Sequence, residues 1–98
     1  MIKLTSTQRQ FLKGLAHTLS PVVLIGEKGL TEAVLKEAER ALAAHELIKI
    51  KAGSGEKETR SQWLEQICQA LGAAPVQQIG KILVIYRAAE KPGIQLPR

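Results

Sequence analysis

The stretch PVVLIGEKGLTEAV, residues 21–34, contains the junction that decides the fold. Its first part is a short apolar run rich in β-branched residues, typical of a strand that lies centrally in a sheet or is covered on both faces. Two glycines, Gly26 and Gly29, then enclose a Glu-Lys pair, and a helical pattern follows. Two interpretations stay open. Either the strand-to-helix turn needs a left-handed backbone at Gly26, or a negatively charged group must approach the backbone closely.

A helix is predicted after the second glycine, from Leu30 to about His45. Its apolar residues recur every three or four positions and therefore lie on one side, whereas its charged residues lie on the other. Glu32 and Lys36 are four residues apart in the favourable order for an ion pair. The apolar stripe consists of Leu30, Val34, Leu35, Ala38, Ala41 and Leu42.

The segment LIKIKA, from Leu47 to Ala52, alternates between apolar and basic residues. This period of two predicts a strand with one buried face and one wet, basic face. Ile48 and Ile50 would point into the core. Lys49 and Lys51 would point to solvent.

Before this region, residues 5–17 predict a first helix. Thr5 followed by Gln8 fits a capping box, which marks a helix start. Helical spacing assigns an inner stripe to Phe11, Leu12, Leu15, Ala16 and Leu19.

After LIKIKA the sequence predicts four further segments. The GSG sequence at 53–55 indicates a flexible loop, and residues 56–71 predict a third helix. The segments 76–79 and 81–87 read as two strands of a hairpin. The final residues, 88–98, contain two prolines and predict a loosely attached tail.

The predicted order is therefore αβαβαββ, which places the protein in the α/β class. Strands separated by helices imply crossover connections and a partly parallel sheet, which the antiparallel hairpin would close. We expect a four-stranded mixed sheet packed with three helices. The chain of 98 residues fits one domain, residues 1–98, with enough apolar content, 45%, for one core.

The net charge of +5 arises entirely from the two ends of the chain. Residues 1–26 carry three bases and no acid, and residues 66–98 carry a net charge of +3, to which Arg98 contributes. The middle, residues 27–65, carries −1. If the fold brings the ends together, a basic face results, which would suit a polyanion or an anionic surface. The alternative is that the charge serves only solubility.

Several classes of function find no support in the residues. The chain has no Asp and two histidines, and neither a nucleophile with a base nor a Cys/His metal spacing is present. Its one cysteine, Cys68, lies in a helical pattern and is interpreted as a buried small residue. We therefore expect no enzyme, no cofactor, no metal and no small-molecule substrate. The start lacks a signal peptide and no run is long enough to cross a membrane, so we expect a cytoplasmic protein without a membrane partner.

The candidate binding residues are the glycine loop and the bases around it. Backbone N–H groups at a helix start favour an anion, and Lys28 adds a full charge, so the loop could bind a phosphate. Arg9, Lys13 and His17 follow a spacing of four and line one side of the first helix. The full set is Gly26, Glu27, Lys28, Gly29, Arg9, Lys13, His17, Lys49, Lys51, Lys81 and Arg87. With only three aromatic residues, recognition of an RNA backbone is favoured over base stacking.

These linked motifs resemble the CRM-domain family in its bacterial single-domain YhbY form. The resemblance rests on LKGLAH, PVVLIGxxGLT, HELIKIK and IGKxLVIYR, and it covers essentially the whole chain. It implies a fold similar to the C-terminal domain of a bacterial translation initiation factor. It also implies a GxxG loop at residues 26–29 that contacts RNA. Many plant members have two basic residues between the glycines, whereas this chain has Glu27 in the first position.

The resemblance further implies a function in ribosome biogenesis. We expect a monomer that binds RNA, specifically precursor large-subunit ribosomal RNA, through the GxxG loop and an adjacent basic face. The alternative is a protein-interaction module that docks on a ribosomal protein or an assembly factor. Binding to naked RNA that weakens steeply with salt would distinguish the two.

Overall fold

The computed structural model describes residues 3–97, so Arg98 lies outside the described residues. It confirms the α/β class and the predicted order αβαβαββ. The helices are α1 (Ser6–Ala16), α2 (Glu32–His45) and α3 (Lys57–Leu71). The strands are β1 (Pro21–Ile25), β2 (Leu47–Ala52), β3 (Ala74–Ile79) and β4 (Ile82–Tyr86).

The four strands form one mixed sheet in the order β1-β2-β4-β3. Strands β1 and β2 run parallel, as a crossover through α2 requires, whereas β4 runs antiparallel to both β2 and β3. The two edge strands each carry a register shift, between Pro21 and Val23 in β1 and between Pro75 and Gln77 in β3. Prolines and irregularities of this kind discourage pairing with a further strand.

One face of the sheet, here called the closed face, is covered by α2 and α3. Its core is almost wholly aliphatic, and at its centre Ile25, Ile50 and Leu83 from three neighbouring strands have no exposed surface. The alternation predicted for β2 is confirmed, because Ile48 and Ile50 lie in this core. The helices contribute Val34, Ala38, Leu42, Ile67 and Cys68.

The opposite face, here called the half-open face, is covered by one helix, α1, and by Ile94 and Leu96 of the C-terminal segment. Leu12 and Ala16 of this helix pack on Leu47, Val84 and Tyr86, among others. They are the only buried side chains of α1, so the predicted inner stripe is narrower in the structure. Its other three members, Phe11, Leu15 and Leu19, are 39%, 40% and 38% exposed.

Helix ends follow the expected chemistry, with one shift of position. The Thr5 hydroxyl accepts a hydrogen bond from the Gln8 N–H, and the Gln8 side chain accepts one from the Thr5 N–H, which confirms the capping box. Gly72 ends α3 in the left-handed conformation. Helix α2, however, starts at Glu32 rather than Leu30, because Thr31 is its N-cap.

The C-terminal segment differs from the loose attachment that its prolines predict. The Glu46 carboxylate accepts hydrogen bonds from the N–H groups of Gly93, at 2.6 Å, and of Ile94, at 3.3 Å. Ile94 and Leu96 pack against the α1 side of the core. The segment is held because its backbone donors find a buried carboxylate that is distant in the sequence.

Three groups on the closed face, Glu39, Arg87 and Cys68, have shifted pKa values with structural causes. A hydrogen bond from Arg87 holds the pKa of Glu39 below its ordinary value and raises the pKa of Arg87 itself. Burial raises the pKa of the Cys68 thiol to about 11, so the thiol stays protonated at neutral pH. This agrees with a structural role for Cys68.

In the part of the chain that the structure describes, no helix is both long enough and apolar enough to span a membrane.

Candidate nucleic-acid interface

Three connections meet at one end of the sheet, here called the loop end. Strands β1 and β2 are parallel, so the turn at 26–29 and the GSG loop at 53–55 follow strands that finish at the same end of the sheet. Strand β4 starts at this end, so the hairpin turn at 80–81 lies there as well. The Ala52 N–H donates to the Lys81 carbonyl oxygen at 2.7 Å, which fixes this third connection beside the second.

The GEKG sequence forms a tight turn whose two glycines differ. The Gly29 N–H donates to the Gly26 carbonyl oxygen at 3.0 Å, so Glu27 and Lys28 occupy the exposed centre of the turn. The left-handed conformation occurs at Gly29, with a φ of 76°, and not at Gly26 as the turn interpretation predicted. A Cβ built on Gly26 would meet nothing within 4 Å. The fold therefore requires glycine at position 29 but not at position 26.

Trp63 of α3 supports two of these connections at once. A Cβ on Gly29 would lie 3.2 Å from Cζ2 of the indole, and a Cβ on Gly55 would lie 2.8 Å from Cη2. Both glycines have a positive φ, 76° and 87°, and both therefore have to be glycine to pack on the ring. The indole thus fixes the turn at 26–29 and the GSG loop relative to each other.

The GSG loop is also tied to the turn by hydrogen bonds, in contrast to the flexible loop predicted. The Gly53 N–H donates to the Ile25 carbonyl oxygen at 2.7 Å, and the Ser54 hydroxyl donates to the Gly26 carbonyl oxygen at 3.0 Å. Arg60 Nη1 donates to the Gly55 carbonyl oxygen at 2.8 Å. Ser54, Arg60 and Trp63 are not among the binding residues predicted from the sequence. The available signal was the position of GSG directly after a strand parallel to β1.

The helix start behind the turn offers less to an anion than predicted. The Val34 N–H already donates to the Thr31 hydroxyl at 3.3 Å, and Glu32 places a carboxylate in the first turn. Because α2 begins three residues after Gly29, its unpaired N–H groups are separated from the turn. Affinity for a phosphate at the turn would therefore depend on the turn backbone and on nearby lysines.

Next to the loop end, part of the half-open face remains uncovered. Lys51 of β2 lies between Leu24 of β1 and Ile82 of β4, and Ile79 of β3 pairs with Ile82. Leu24 and Ile79, which lie on the two edge strands, are each 57% exposed and form an apolar surface on either side of Lys51 and Ile82. Lys49, two residues before Lys51, points to the same side, as predicted from the alternation.

A groove runs between α1 and this uncovered part of the sheet, and we call it the basic groove. Lys13 of α1 and His17, the C-cap residue of this helix, line one side of the groove, and Lys49 lies on the other. The volume of the groove is about 480 Å³. Gln77, Ile79 and Ile82 complete the sheet side. None of the described residues that line it is acidic. Such a groove can accept a negatively charged backbone next to an apolar platform.

A second groove lies on the other flank of α1, and we call it the apolar groove. Its volume is about 520 Å³, and it is lined by Leu15, Leu19, Val22 and Ile94, with His45 as the one ionisable side chain among the lining residues. Two of the three unburied members of the predicted α1 stripe, Leu15 and Leu19, therefore face this groove. Helix α1 separates a basic surface from an apolar one.

The predicted site residues do not all come together. Lys13, His17 and Lys49 share the basic groove, whereas Arg9 lies one turn earlier on α1 and is not among the lining residues. Lys28, Lys51 and Lys81 are exposed at or near the loop end.

Arg87 is separated from this set. Arg87 directly follows β4, and because side chains alternate along a strand it lies on the same face as Leu83 and Ile85, which is the closed face. It is located at the end of the sheet opposite the loop end. Its guanidinium forms an ion pair with Glu39, and Nη1 also donates to the Leu71 carbonyl oxygen at 2.9 Å. These contacts assign Arg87 to holding α2 and α3 on the sheet.

Potential metal ligands are scattered over the part of the chain that the structure describes. Among residues 3–97, no cluster of three or more His, Cys or Glu side chains could hold a metal ion. The chemistry that the interface does offer is cationic and apolar, on a rigid end of a sheet.

Comparisons with known proteins agree with one another. The model of the CRS1 / YhbY (CRM) domain matches residues 4–87. A Haemophilus influenzae protein named "RNA-binding protein" is 53% identical over 98 residues, which cover 100% of this chain and 99% of the relative. A Pseudomonas aeruginosa protein named a probable RNA-binding protein is 43% identical over 93 residues, 95% of this chain and 89% of the relative. The solution structure of a Staphylococcus aureus protein, 33% identical, matches with a TM-score of 0.86 over 97% of this chain and 100% of that one.

Proposed function

The chain belongs to the CRS1/YhbY (CRM) domain family, and on this premise we propose that it binds RNA through the loop end and the basic groove. The observation that carries the proposal is the grouping of Lys13, His17 and Lys49 in one groove whose described lining residues include no acid. Two relatives that match over nearly their whole length are named as RNA-binding or probable RNA-binding proteins, which supports the same function.

The geometry suits a phosphate backbone better than unstacked bases. None of the described residues that line the basic groove is Phe, Tyr or Trp, and Tyr86 is buried in the core. Single-strand binders commonly stack bases on aromatic side chains, whereas structured RNA is read through shape, phosphate and ribose. The proposed ligand is therefore a structured RNA whose backbone passes from the turn at 26–29 into the basic groove.

The proposed biological ligand is precursor large-subunit ribosomal RNA, bound during subunit assembly in the cytoplasm. We propose that the protein acts as a monomer without an enzymatic activity. Support comes from the family resemblance, from the small size of the chain and from a site composed of phosphate-binding rather than reactive groups. Crosslinking in cells, followed by sequencing of the attached RNA, tests this: reads spread evenly over cellular RNA would contradict it.

The general RNA-binding function is tested by charge-matched variants. The double variant Lys13→Gln with Lys49→Gln removes two positive charges from the basic groove, and Lys36→Gln with Lys91→Gln removes two from elsewhere. Binding of a fluorescein-labelled ribosomal RNA hairpin is measured at several salt concentrations. We expect the first pair to weaken binding by about 2 kcal/mol and to reduce a parent log–log salt slope of roughly −3 to −4 by about two units. Equal effects of both pairs would contradict a localised site.

The apolar groove favours a second candidate function, docking on an apolar segment of a ribosomal protein. Leu15, Leu19 and Val22 are exposed there, and His45 is the one basic side chain among the residues that line this groove. A purified chain that failed to bind RNA at low salt, but still joined pre-ribosomal particles stripped of accessible RNA, would support this candidate instead.

A further inference from the structure

Glu46, between α2 and β2, has two unusual properties. Its side chain is only 6% exposed although it is a carboxylate, and its φ of 65° is positive. Among residues 3–97, no other non-glycine residue has a positive φ. A buried charge and an unfavourable backbone conformation each raise the free energy of the fold unless specific contacts compensate them.

The compensating contacts join Glu46 to the end of the chain. Its two carboxylate oxygens accept the hydrogen bonds from Gly93 and Ile94 described above. Its backbone N–H donates to the Leu42 carbonyl oxygen, and its own carbonyl oxygen accepts from the Arg87 N–H, each at 2.8 Å. Burial, and then the negative charge of Glu46, raise the pKa of Tyr86. Glu46 therefore fixes residues 93–97, here called the C-terminal strap, in the α1 side of the core.

The strap in turn contacts α1. Ile94 and Leu96 pack against the cluster that contains Leu12 and Ala16. Gln8 Nε2 donates to the Pro97 carbonyl oxygen at 3.1 Å, while the Oε1 of the same side chain completes the capping box. Because α1 buries only two side chains of its own, the strap supplies a large part of what holds this helix on the sheet.

We propose that Glu46 is a positioning residue for RNA binding: it fixes the C-terminal strap, and the strap holds α1 so that its basic side chains stay over the half-open face. The inference rests on the proposed function. Glu46 is buried and does not touch RNA. Its effect is transmitted through the strap to Lys13 and His17, which line the basic groove only while α1 keeps its place.

Removing the charge of Glu46 has opposite expected effects on RNA affinity under positioning and under long-range electrostatics. Glu46→Gln removes one negative charge, so long-range electrostatics alone predicts tighter RNA binding. Glu90→Gln removes the same charge from an exposed residue near the strap and is the matched control. A third variant, Glu46→Gly, removes the carboxylate and relieves the positive φ, which favours a folded protein.

Two measurements are made on each full-length variant: affinity for the labelled ribosomal RNA hairpin, and amide hydrogen exchange of α1 and α2. We expect both Glu46 variants to bind about fivefold more weakly, equivalent to one lost phosphate contact, and the control to bind as tightly as the parent or slightly tighter. Exchange should become about tenfold faster in α1 and stay unchanged in α2.

Other results overturn the proposal. Glu46 variants that bind as tightly as Glu90→Gln would show that the strap does not position the site. Faster exchange in α2 as well as α1 would make Glu46 a residue of general stability. If the parent itself binds no RNA, the proposed function fails, while exchange confined to α1 would still establish the contact from Glu46 to this helix.

Discussion

The two faces of the sheet use the same strands for different purposes. In β2, Ile50 is fully buried on the closed face, whereas the next residue, Lys51, is exposed on the half-open face. On the closed face the positive charge of Arg87 is neutralised by its ion pair with Glu39. Whether a basic residue on a strand is available to a ligand therefore depends on which face of the sheet its side chain occupies. Its position along the chain does not decide this.

Neighbouring substitutions on opposite faces give the largest expected contrast. Ile50→Ala leaves a cavity in the closed core and should lower the free energy of unfolding by about 3 kcal/mol, with unchanged RNA affinity of the folded protein. Lys51→Ala should change stability by less than about 0.5 kcal/mol and still weaken RNA binding. Denaturant unfolding and hairpin binding are measured for both. If Lys51→Ala left RNA affinity unchanged, the division between the faces would not extend to function.

The two glycines of the turn repeat this contrast on a smaller scale. Gly29 faces Trp63 and has a positive φ, so Gly29→Ala should destabilise the protein by about 2 kcal/mol through strain and crowding. Gly26→Ala should change stability by no more than about 0.5 kcal/mol, because its Cβ would meet no atom. A thermal-unfolding comparison checks both. RNA affinity unaffected by Gly26→Ala would show that no phosphate comes close to this residue.

Local patterns in the sequence predicted most of the fold. The alternation in LIKIKA assigned both faces of β2, and the Thr5–Gln8 pair marked the start of α1, because each signal depends on residues close in the chain. The parity of β4 could not be predicted in the same way. Its sequence, ILVIY, is apolar at every position, and the face occupied by Arg87 was therefore hidden.

Long-range contacts account for what the sequence did not reveal about the site. The pairing of Gly29 and Gly55 on Trp63, and the hydrogen bonds from the strap to Glu46, join residues that are far apart in the sequence. Prolines in the tail correctly indicate irregular backbone, but irregular backbone can be held firmly when its N–H groups meet a buried acceptor. The basic groove likewise needs α1 and β2 side by side.

A smaller effect is expected at the ion pair on the closed face. Arg87→Gln should lower the free energy of unfolding by about 1–1.5 kcal/mol at neutral pH, since the pair is partly exposed and the hydrogen bond to Leu71 is also lost. RNA affinity should match that of Lys36→Gln, which removes the same charge.

The pH dependence of this effect has a definite sign. Because the pKa of Glu39 is lowered in the folded state, the contribution of the pair is fully present above the ordinary value of 4.5 and is lost as the pH falls through the folded value. The difference in stability between the parent and Arg87→Gln should therefore narrow below pH 4.5. A constant difference down to acidic pH would contradict the pairing.

The smallest expected effects concern the exposed pair at the centre of the turn, where the half-open side meets the loop end. Lys28 and Glu27 are adjacent residues of opposite charge type, both are exposed, and neither side chain forms an ion pair with another of residues 3–97. Lys28→Ala should therefore leave stability unchanged, weaken RNA binding by about 1 kcal/mol and reduce the salt slope by about one unit.

Glu27→Lys adds a cation beside the same phosphate and should tighten binding by a similar or smaller amount. Hairpin titrations at several salt concentrations check both substitutions, with Glu65→Lys on the exposed side of α3 as the control for the change in net charge. If Glu27→Lys and Glu65→Lys tighten binding equally, and Lys28→Ala has no effect, the turn only connects β1 to α2 and the RNA backbone passes through the basic groove alone.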